Sequence, residues 1–292
     1  MTPHSSSRIG FGVSGPLGQF WFPERQTRAL IGQALAGGVT HFDTGPFYFD
    51  AERRLGDALN QTGACVFVST KTGTRRQGRR LVKDFTEAAI RADVDESRRR
   101  LRRDRLDLLY LHGPTIDEID KTRRVLDTLK REGSVNAIGV CGEGAPLAHA
   151  AAVGFDAVMG AYNVLDRRHE EIFAAAKQKG ALTVAVAPLA QGLFDPQFNR
   201  PRTLSDLWRI ARARFRGRYD RNCVETARAA LGVKDPVGAA LGFVLANPDI
   251  DIVMTTTTKA AHLAGSLKAK ALTGRDLEAL RSIALDPAGQ RS

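Results

Sequence analysis

Eight short apolar, β-branched runs recur along the chain with helical patterning between them, and this alternation restricts the fold more than any other feature. The runs are RIGFGV (8–13), VTHFD (39–43), CVFVSTK (65–71), LDLLYLH (106–112), VNAIGV (135–140), DAVMGAY (156–162), LTVAVA (182–187) and DIVM (251–254). The spacing predicts helices over 24–37, 50–60, 82–102, 117–132, 145–153, 168–179, 219–231 and 259–270, with a further helix near 235–246. Several runs are apolar at consecutive positions, as strands are when both faces of a parallel sheet are covered. Eight strand–helix units predict an α/β fold, a closed (β/α)8 TIM barrel forming a single domain over residues 1–292, with an open doubly wound sheet as the alternative.

Composition excludes several classes. With 43% hydrophobic and 26% charged residues and no long apolar run, the chain reads as an ordinary globular protein with no membrane partner. The start, MTPHSSSR, has no apolar core of a signal peptide, so a cytoplasmic location is expected. Cys65, Cys141 and Cys223 are scattered and the six histidines show no ligand spacing, so neither a disulfide framework nor a metal site is expected. The net charge of +11 favours anionic partners such as phosphate-bearing cofactors. The cluster RRRLRRDR (98–105) follows a helical pattern whose apolar positions Ile90, Val94 and Leu101 share one face, which leaves most of its arginines to solvent. Neither interleaved aromatics nor a helix-turn-helix pattern accompanies the charge, so no nucleic-acid partner is expected. The basic segment at about 188–218 is too long for an idle connection and reads as a lid or binding loop.

Gly10, Gly12 and Gly15 match the G-x-G-x-x-G spacing of dinucleotide-binding turns. In that motif the third glycine lies inside a helix that receives a pyrophosphate. Here Pro16, Leu17 and Gly18 follow, and helical periodicity starts only after Pro23, so the glycines read as a barrel strand and its loop.

Chemistry is concentrated at strand ends. Asp43 ends the second run, Tyr48 lies just beyond it, Lys71 ends the third and His112 the fourth. In a (β/α)8 barrel these ends share the active-site face, so the four groups should converge. A tyrosine with pKa of about 10 is a poor acid or base at neutral pH, but an adjacent ammonium favours its phenolate. Lys71 would tune Tyr48, Asp43 would keep Lys71 protonated, and His112 could direct a substrate carbonyl. Such a set suits carbonyl reduction or alcohol oxidation once a hydride donor is present.

At these residues the sequence resembles the aldo-keto reductase superfamily. HFDTGPFYFDAERRLGDAL is similar to its Asp-Thr-Ala-x-x-Tyr-Gly-x-x-Glu-x-x-Leu-Gly signature, and VSTKTG, DLLYLHGP, LKREGSVNAIGV, AYNVLDRR and APLAQGL follow in order over roughly residues 8–270. The resemblance, which extends to sugar-dehydrogenase-like bacterial members, implies the barrel and a catalytic tetrad of Asp43, Tyr48, Lys71 and His112. It also implies a nicotinamide cofactor and hydride transfer to a small-molecule carbonyl, with Tyr48 delivering the proton.

Cofactor contacts implied by the resemblance begin with Gly12, Val13 and Asp43. Where relatives hold the nicotinamide amide with Ser, Asn and Gln, this chain has Cys141, Gly142 and Met159. Where they stack an aromatic ring it has Val186, followed by Pro188, Leu189, Gln191 and Gly192. The phosphate loop becomes Thr256, Thr257, Thr258 and Lys259, with His262 beyond, and NADP(H) is placed ahead of NAD(H). With the chain ending at Ser292, substrate walls are expected from Phe20, Trp21, Phe47, Phe49 and Trp208. Two rival readings keep the barrel: a cofactor-free lyase or isomerase using the same tetrad, and a non-catalytic regulatory protein.

Overall fold

The computed structural model describes residues 7–78, 80–194, 201, 203, 204, 206–208, 210, 211, 221–231 and 235–283. Its strands are β1 (Ile9–Gly12), β2 (His41–Asp43), β3 (Phe67–Thr72), β4 (Thr74–Gln77), β5 (Arg80–Lys83), β6 (Leu106–His112), β7 (Val135–Cys141), β8 (Ala157–Ala161), β9 (Leu182–Val186) and β10 (Ile252–Thr255). All but β4 and β5 pair in parallel around a closed barrel, in chain order, with β10 closing on β1. The helices are α1 (Glu24–Ala36), α2 (Ala51–Thr62), α3 (Glu87–Leu101), α4 (Ile116–Arg131), α5 (Gly144–Ala152), α6 (Glu170–Gln178), α7 (Arg221–Leu231), α8 (Pro236–Leu245), α9 (Ala260–Leu267) and α10 (Gly274–Arg281). This is the (β/α)8 barrel expected from the alternation, and no described helix is long and apolar enough to cross a membrane.

The sheet buries two apolar layers. Outside it, helix stripes such as Ile119, Val125, Leu126 and Leu129 of α4 pack on the strands. That helix starts at a reciprocal cap: the Glu118 N–H donates to Thr115 Oγ1 at 3.2 Å and the Thr115 N–H to Glu118 Oε2 at 2.7 Å. A cap of this kind is worth about 1 kcal/mol. Inside the barrel, Leu108, Tyr110, Met159, Val184, Ile252 and Met254 fill the lumen, so it is a packed core. The Tyr110 ring fits because its neighbour is a glycine: a Cβ on Gly139 would lie 2.6 Å from Tyr110 Cε1.

Two features were not foreseen: the last helix, α10, and a hairpin ahead of α3. The helix expected from residue 82 begins at Glu87, capped by Thr86, whose hydroxyl accepts the Ala89 N–H at 3.3 Å. The residues before it form an antiparallel hairpin, β4 with β5, pairing Thr74 with Lys83 and Arg76 with Leu81. The chain turns at Gly78, whose φ of +62° favours glycine. The glycine-rich run at Gly10–Gly18 holds the end of β1 and a single 3-10 turn, as expected, with α1 starting only at Glu24. The basic segment at 188–218 opens with a 3-10 turn at Ala190–Gly192, and much of it lies outside the described residues. The arginines of 98–105 are half-buried or exposed and several are paired, Arg102 with Asp57 at 2.7 Å and Arg103 with Asp107 at 2.8 Å.

Candidate active site

The four residues singled out at the strand ends meet at one mouth of the barrel. Asp43 and Lys71 come from neighbouring strands and are both buried, with Lys71 Nζ 2.5 Å from Asp43 Oδ2. The ammonium also donates to the Thr44 carbonyl at 2.7 Å. Burial works against the charged lysine, but Asp43, together with Tyr48 and Cys141, more than offsets it, and the Lys71 pKa is raised above its ordinary value. Burial pushes the Cys141 thiol up to about 12, so it stays protonated at neutral pH.

Two further groups support this pair, and neither was singled out from the sequence. The Ser69 hydroxyl donates to Asp43 Oδ1 at 2.8 Å, and His41 Nε2 lies 3.4 Å from Ser69 Oγ. Register explains the cluster: Asp43 pairs with Ser69 across β2 and β3. Period-two alternation then sends His41, Asp43, Ser69 and Lys71 to the same face. Burial, with Lys71 nearby, lowers the His41 pKa to about 3. Between that value and the ordinary 6.5 only the unfolded chain binds this proton, so stability falls as pH drops through the window. From pH 6.5 to 4.5 the wild type should lose about 2 kcal/mol more than His41→Gln does. Urea unfolding at the two pH values measures it; equal losses would contradict a buried neutral His41.

Tyr48 is carried back over the mouth by the turn after β2. The Thr44 hydroxyl donates to the Val13 carbonyl at 3.0 Å, Pro46–Tyr48 form a 3-10 turn, and the Tyr48 N–H donates to the Gly45 carbonyl at 3.0 Å. The loop after β1 crosses this turn so closely that a Cβ on Gly18 would sit 1.9 Å from the Tyr48 carbonyl oxygen. Lys71 Nζ stands 5.5 Å from the centre of the Tyr48 ring, and the His112 ring centre is 6.3 Å from that of Tyr48. Phe47 packs edge-on to both, with ring centres 5.3 Å from Tyr48 and 5.7 Å from His112. The His112 carbonyl accepts from the Thr74 hydroxyl at 2.6 Å, tying that strand end to the hairpin.

The residues expected to hold a cofactor fall into two groups. Cys141 and Val186 end β7 and β9, Met159 lies mid-way along β8 between them, and all three belong to the lumen layer, where Met159 is buried with Tyr110 and Val184. The Gly142 N–H donates to the Met159 carbonyl at 3.0 Å. After Val186 the backbone passes through Ala187 at φ +55°, a conformation unusual for a residue with a side chain. Asn163 holds that residue, donating from Nδ2 to its carbonyl at 3.1 Å, a contact not foreseen. Pro188, Leu189, Gln191 and Gly192 follow in the turn region, Leu189 half-buried.

The second group follows β10, the strand between β9 and β1. Thr256 Oγ1 donates to the Gly12 carbonyl at 3.0 Å and joins the ends of β10 and β1, where the Val13 N–H donates to the Asp43 carbonyl at 2.8 Å. Thr257 Oγ1 accepts the Lys259 N–H at 3.1 Å, and α9 begins at Ala260 with no side-chain cap on its first amides. Lys259 Nζ pairs with the buried Asp206 at 2.9 Å, so this corner already holds an anionic oxygen. His262 sits exposed one turn into α9.

The aromatic residues expected as substrate walls are divided by the structure. Phe47 and Phe49 flank Tyr48. Trp21 instead lines a groove of about 220 Å³ with Phe22, Thr258 and Lys259, on the phosphate-loop side. Phe20 is 91% exposed and projects into solvent. The Trp208 ring lies over Gly15, 3.1 Å from where a Cβ would stand. Loop residues carry no periodicity that fixes a direction, which is why composition alone grouped them together.

Comparison with known proteins agrees with this geometry. The chain is 31% identical over 211 residues to an L-galactose dehydrogenase from Arabidopsis thaliana, a match covering 65% of this chain and 64% of that protein, just under two thirds of its length. It is 27% identical over 285 residues to a pyridoxine 4-dehydrogenase from Escherichia coli, covering 92% and 91% of the two chains. Among solved structures, an aldo-keto reductase from Bacillus halodurans in its holo form superposes with a TM-score of 0.78 at 25% identity, covering 98% of this chain and 95% of that one. A glycerol dehydrogenase from Gluconobacter oxydans gives 0.79 at 25% identity, covering 95% and 91%. The Aldo/keto reductase family profile matches residues 8–284, and on that match, over a barrel with these four strand-end groups, the chain belongs to the aldo/keto reductase family.

Proposed function

We propose that this chain interconverts a carbonyl compound and the corresponding alcohol with a nicotinamide cofactor, Tyr48 serving as general acid in reduction and general base in oxidation. The observation that carries the reading is the buried Lys71–Asp43 pair set against the Tyr48 ring. A fixed ammonium beside a phenol stabilises the phenolate left after proton donation, and burial keeps water from screening it. His112, across the Phe47 ring, donates a hydrogen bond to the substrate oxygen and aims it at Tyr48. Tyr48 passes its proton to that oxygen as the carbonyl carbon becomes tetrahedral.

The residues present fit a dinucleotide at its phosphate end. The uncapped amides of α9 lie at that corner beside Lys259, whose ammonium a phosphate would share with Asp206. Thr256, Thr257, Thr258 and Lys259 would bind phosphate, with NADP(H) favoured over NAD(H) by the ammonium. At the nicotinamide end Cys141, Gly142 and the buried Met159 supply no amide-matching side chain, so backbone groups of that rim and the half-buried Val186 would hold the ring. The cofactor, when bound, supplies or accepts the hydride. Relatives named for L-galactose and glycerol support polyol-like or sugar-like substrates for this chain too.

Quenching of tryptophan fluorescence tests cofactor binding. NADPH should quench saturably, and Lys259→Ala should weaken NADPH roughly tenfold and NADH less, as expected for loss of one charge-assisted contact. Absence of saturable binding for either nucleotide in the millimolar range would contradict the proposal.

A further inference from the structure

The hairpin brings a charge to the mouth that the tetrad does not use. Arg75 and Arg76 are neighbours on β4, and alternation sends them to opposite faces. Arg75 pairs with Asp84 at 3.3 Å and with Asp93 at 3.4 Å. Arg76 places its guanidinium carbon 4.7 Å from the centre of the Phe47 ring and 5.1 Å from that of Phe49, the residues on either side of Tyr48. Among the described residues no carboxylate pairs with it. The Phe47 ring thus contacts both this guanidinium and the His112 imidazole.

The arrangement is held from both sides. Thr74 donates to the His112 carbonyl and, across the hairpin, Lys83 Nζ donates to the Gly113 carbonyl, both at 2.6 Å. Phe49 keeps a backbone φ of +57°, a conformation that surrounding contacts must impose on a residue with a bulky side chain. A guanidinium lying over aromatic rings keeps its N–H edge available, and that planar fork matches a carboxylate in a bidentate pair.

We infer that Arg76 is a substrate-binding residue that receives the carboxylate of a small carbonyl compound whose other end reaches Tyr48 and His112. The inference rests on the carbonyl–alcohol reading above and narrows its substrates, sugar-like ones included, to those aldehydes or ketones that carry a carboxylate and the matching hydroxy acids.

The test compares wild type, Arg76→Gln and Arg75→Gln with 4-carboxybenzaldehyde and its methyl ester, using NADPH. Wild type should favour the carboxylate by roughly tenfold in kcat/KM, chiefly through KM, as one charge-assisted pair at a half-open site provides. Arg76→Gln should abolish that preference and Arg75→Gln should keep it. No preference in wild type, a preference that survives Arg76→Gln, or equal loss in both variants overturns the inference. Benzoate binding, measured by calorimetry, decides Arg76 without turnover. It should weaken roughly tenfold in Arg76→Gln. Equal benzoate affinity in wild type and Arg76→Gln overturns the role of Arg76, whereas failure of both aldehydes to react, with benzoate binding intact, counts against the carbonyl–alcohol reading instead.

Discussion

Replacing Tyr48 by Phe should lower kcat for carbonyl reduction by about 10²–10⁴-fold while NADPH affinity stays within about threefold. The substitution removes one hydroxyl and keeps the ring, so the edge contacts with Phe47 and the turn at Pro46–Tyr48 persist. On the proposed mechanism, what is lost is the group that gives its proton to the substrate oxygen. The residues proposed to bind phosphate, Thr256, Thr257, Thr258 and Lys259, lie in the loop between β10 and α9 and are not touched. Steady-state rates with a fluorescence titration of NADPH separate the two effects. A variant with near wild-type kcat would remove Tyr48 from the chemistry, and a large loss of NADPH affinity would recast it as a cofactor contact.

Lys71→Met should be nearly as inactive and, unlike Tyr48→Phe, markedly less stable. Lys71 and Asp43 are both buried, so removing the ammonium leaves a carboxylate inside the barrel with Ser69 as its remaining side-chain donor. Breaking a buried pair in this way costs about 3–5 kcal/mol. Adding Asp43→Asn should recover part of that stability, because the uncompensated charge is gone, without restoring turnover. The pH dependence carries a sign. Lys71 has a folded pKa above its ordinary 10.5, so the stability it contributes is complete below that pH and disappears only as pH rises through the folded value. Urea unfolding of the single and double variants between pH 7 and 9 should therefore show a difference from wild type that is flat in pH. A Lys71→Met protein as stable as wild type would show that the pair is not buried as described.

The parts legible in the sequence were those fixed by periodicity. Eight apolar runs separated by helical patterns specify the barrel, and a barrel places Asp43, Lys71 and His112 at one end whatever the loops do. Ser69 and His41 were equally accessible, two residues before Lys71 and Asp43 on the same strands, but a serine and a histidine inside apolar runs look like ordinary core residues. The β4–β5 hairpin was hidden because four-residue strands broken at Gly78 resemble the start of the following helix. Arg76 was lost among many arginines, since nothing local distinguishes it from Arg75; only the paired partners do. Phe20, Trp21 and Trp208 lie in segments whose directions are set by tertiary contacts, and they part company accordingly.

Transfer of deuterium from the reduced nicotinamide most directly tests the central claim. With NADPH labelled at C4 on either face and 4-nitrobenzaldehyde as the probe, the alcohol formed by wild type should carry deuterium on its carbinol carbon from one of the two labelled forms, and Tyr48→Phe should form almost none. An unlabelled product from both forms, or a reaction that proceeds without nucleotide, would contradict Tyr48-dependent hydride chemistry at this mouth.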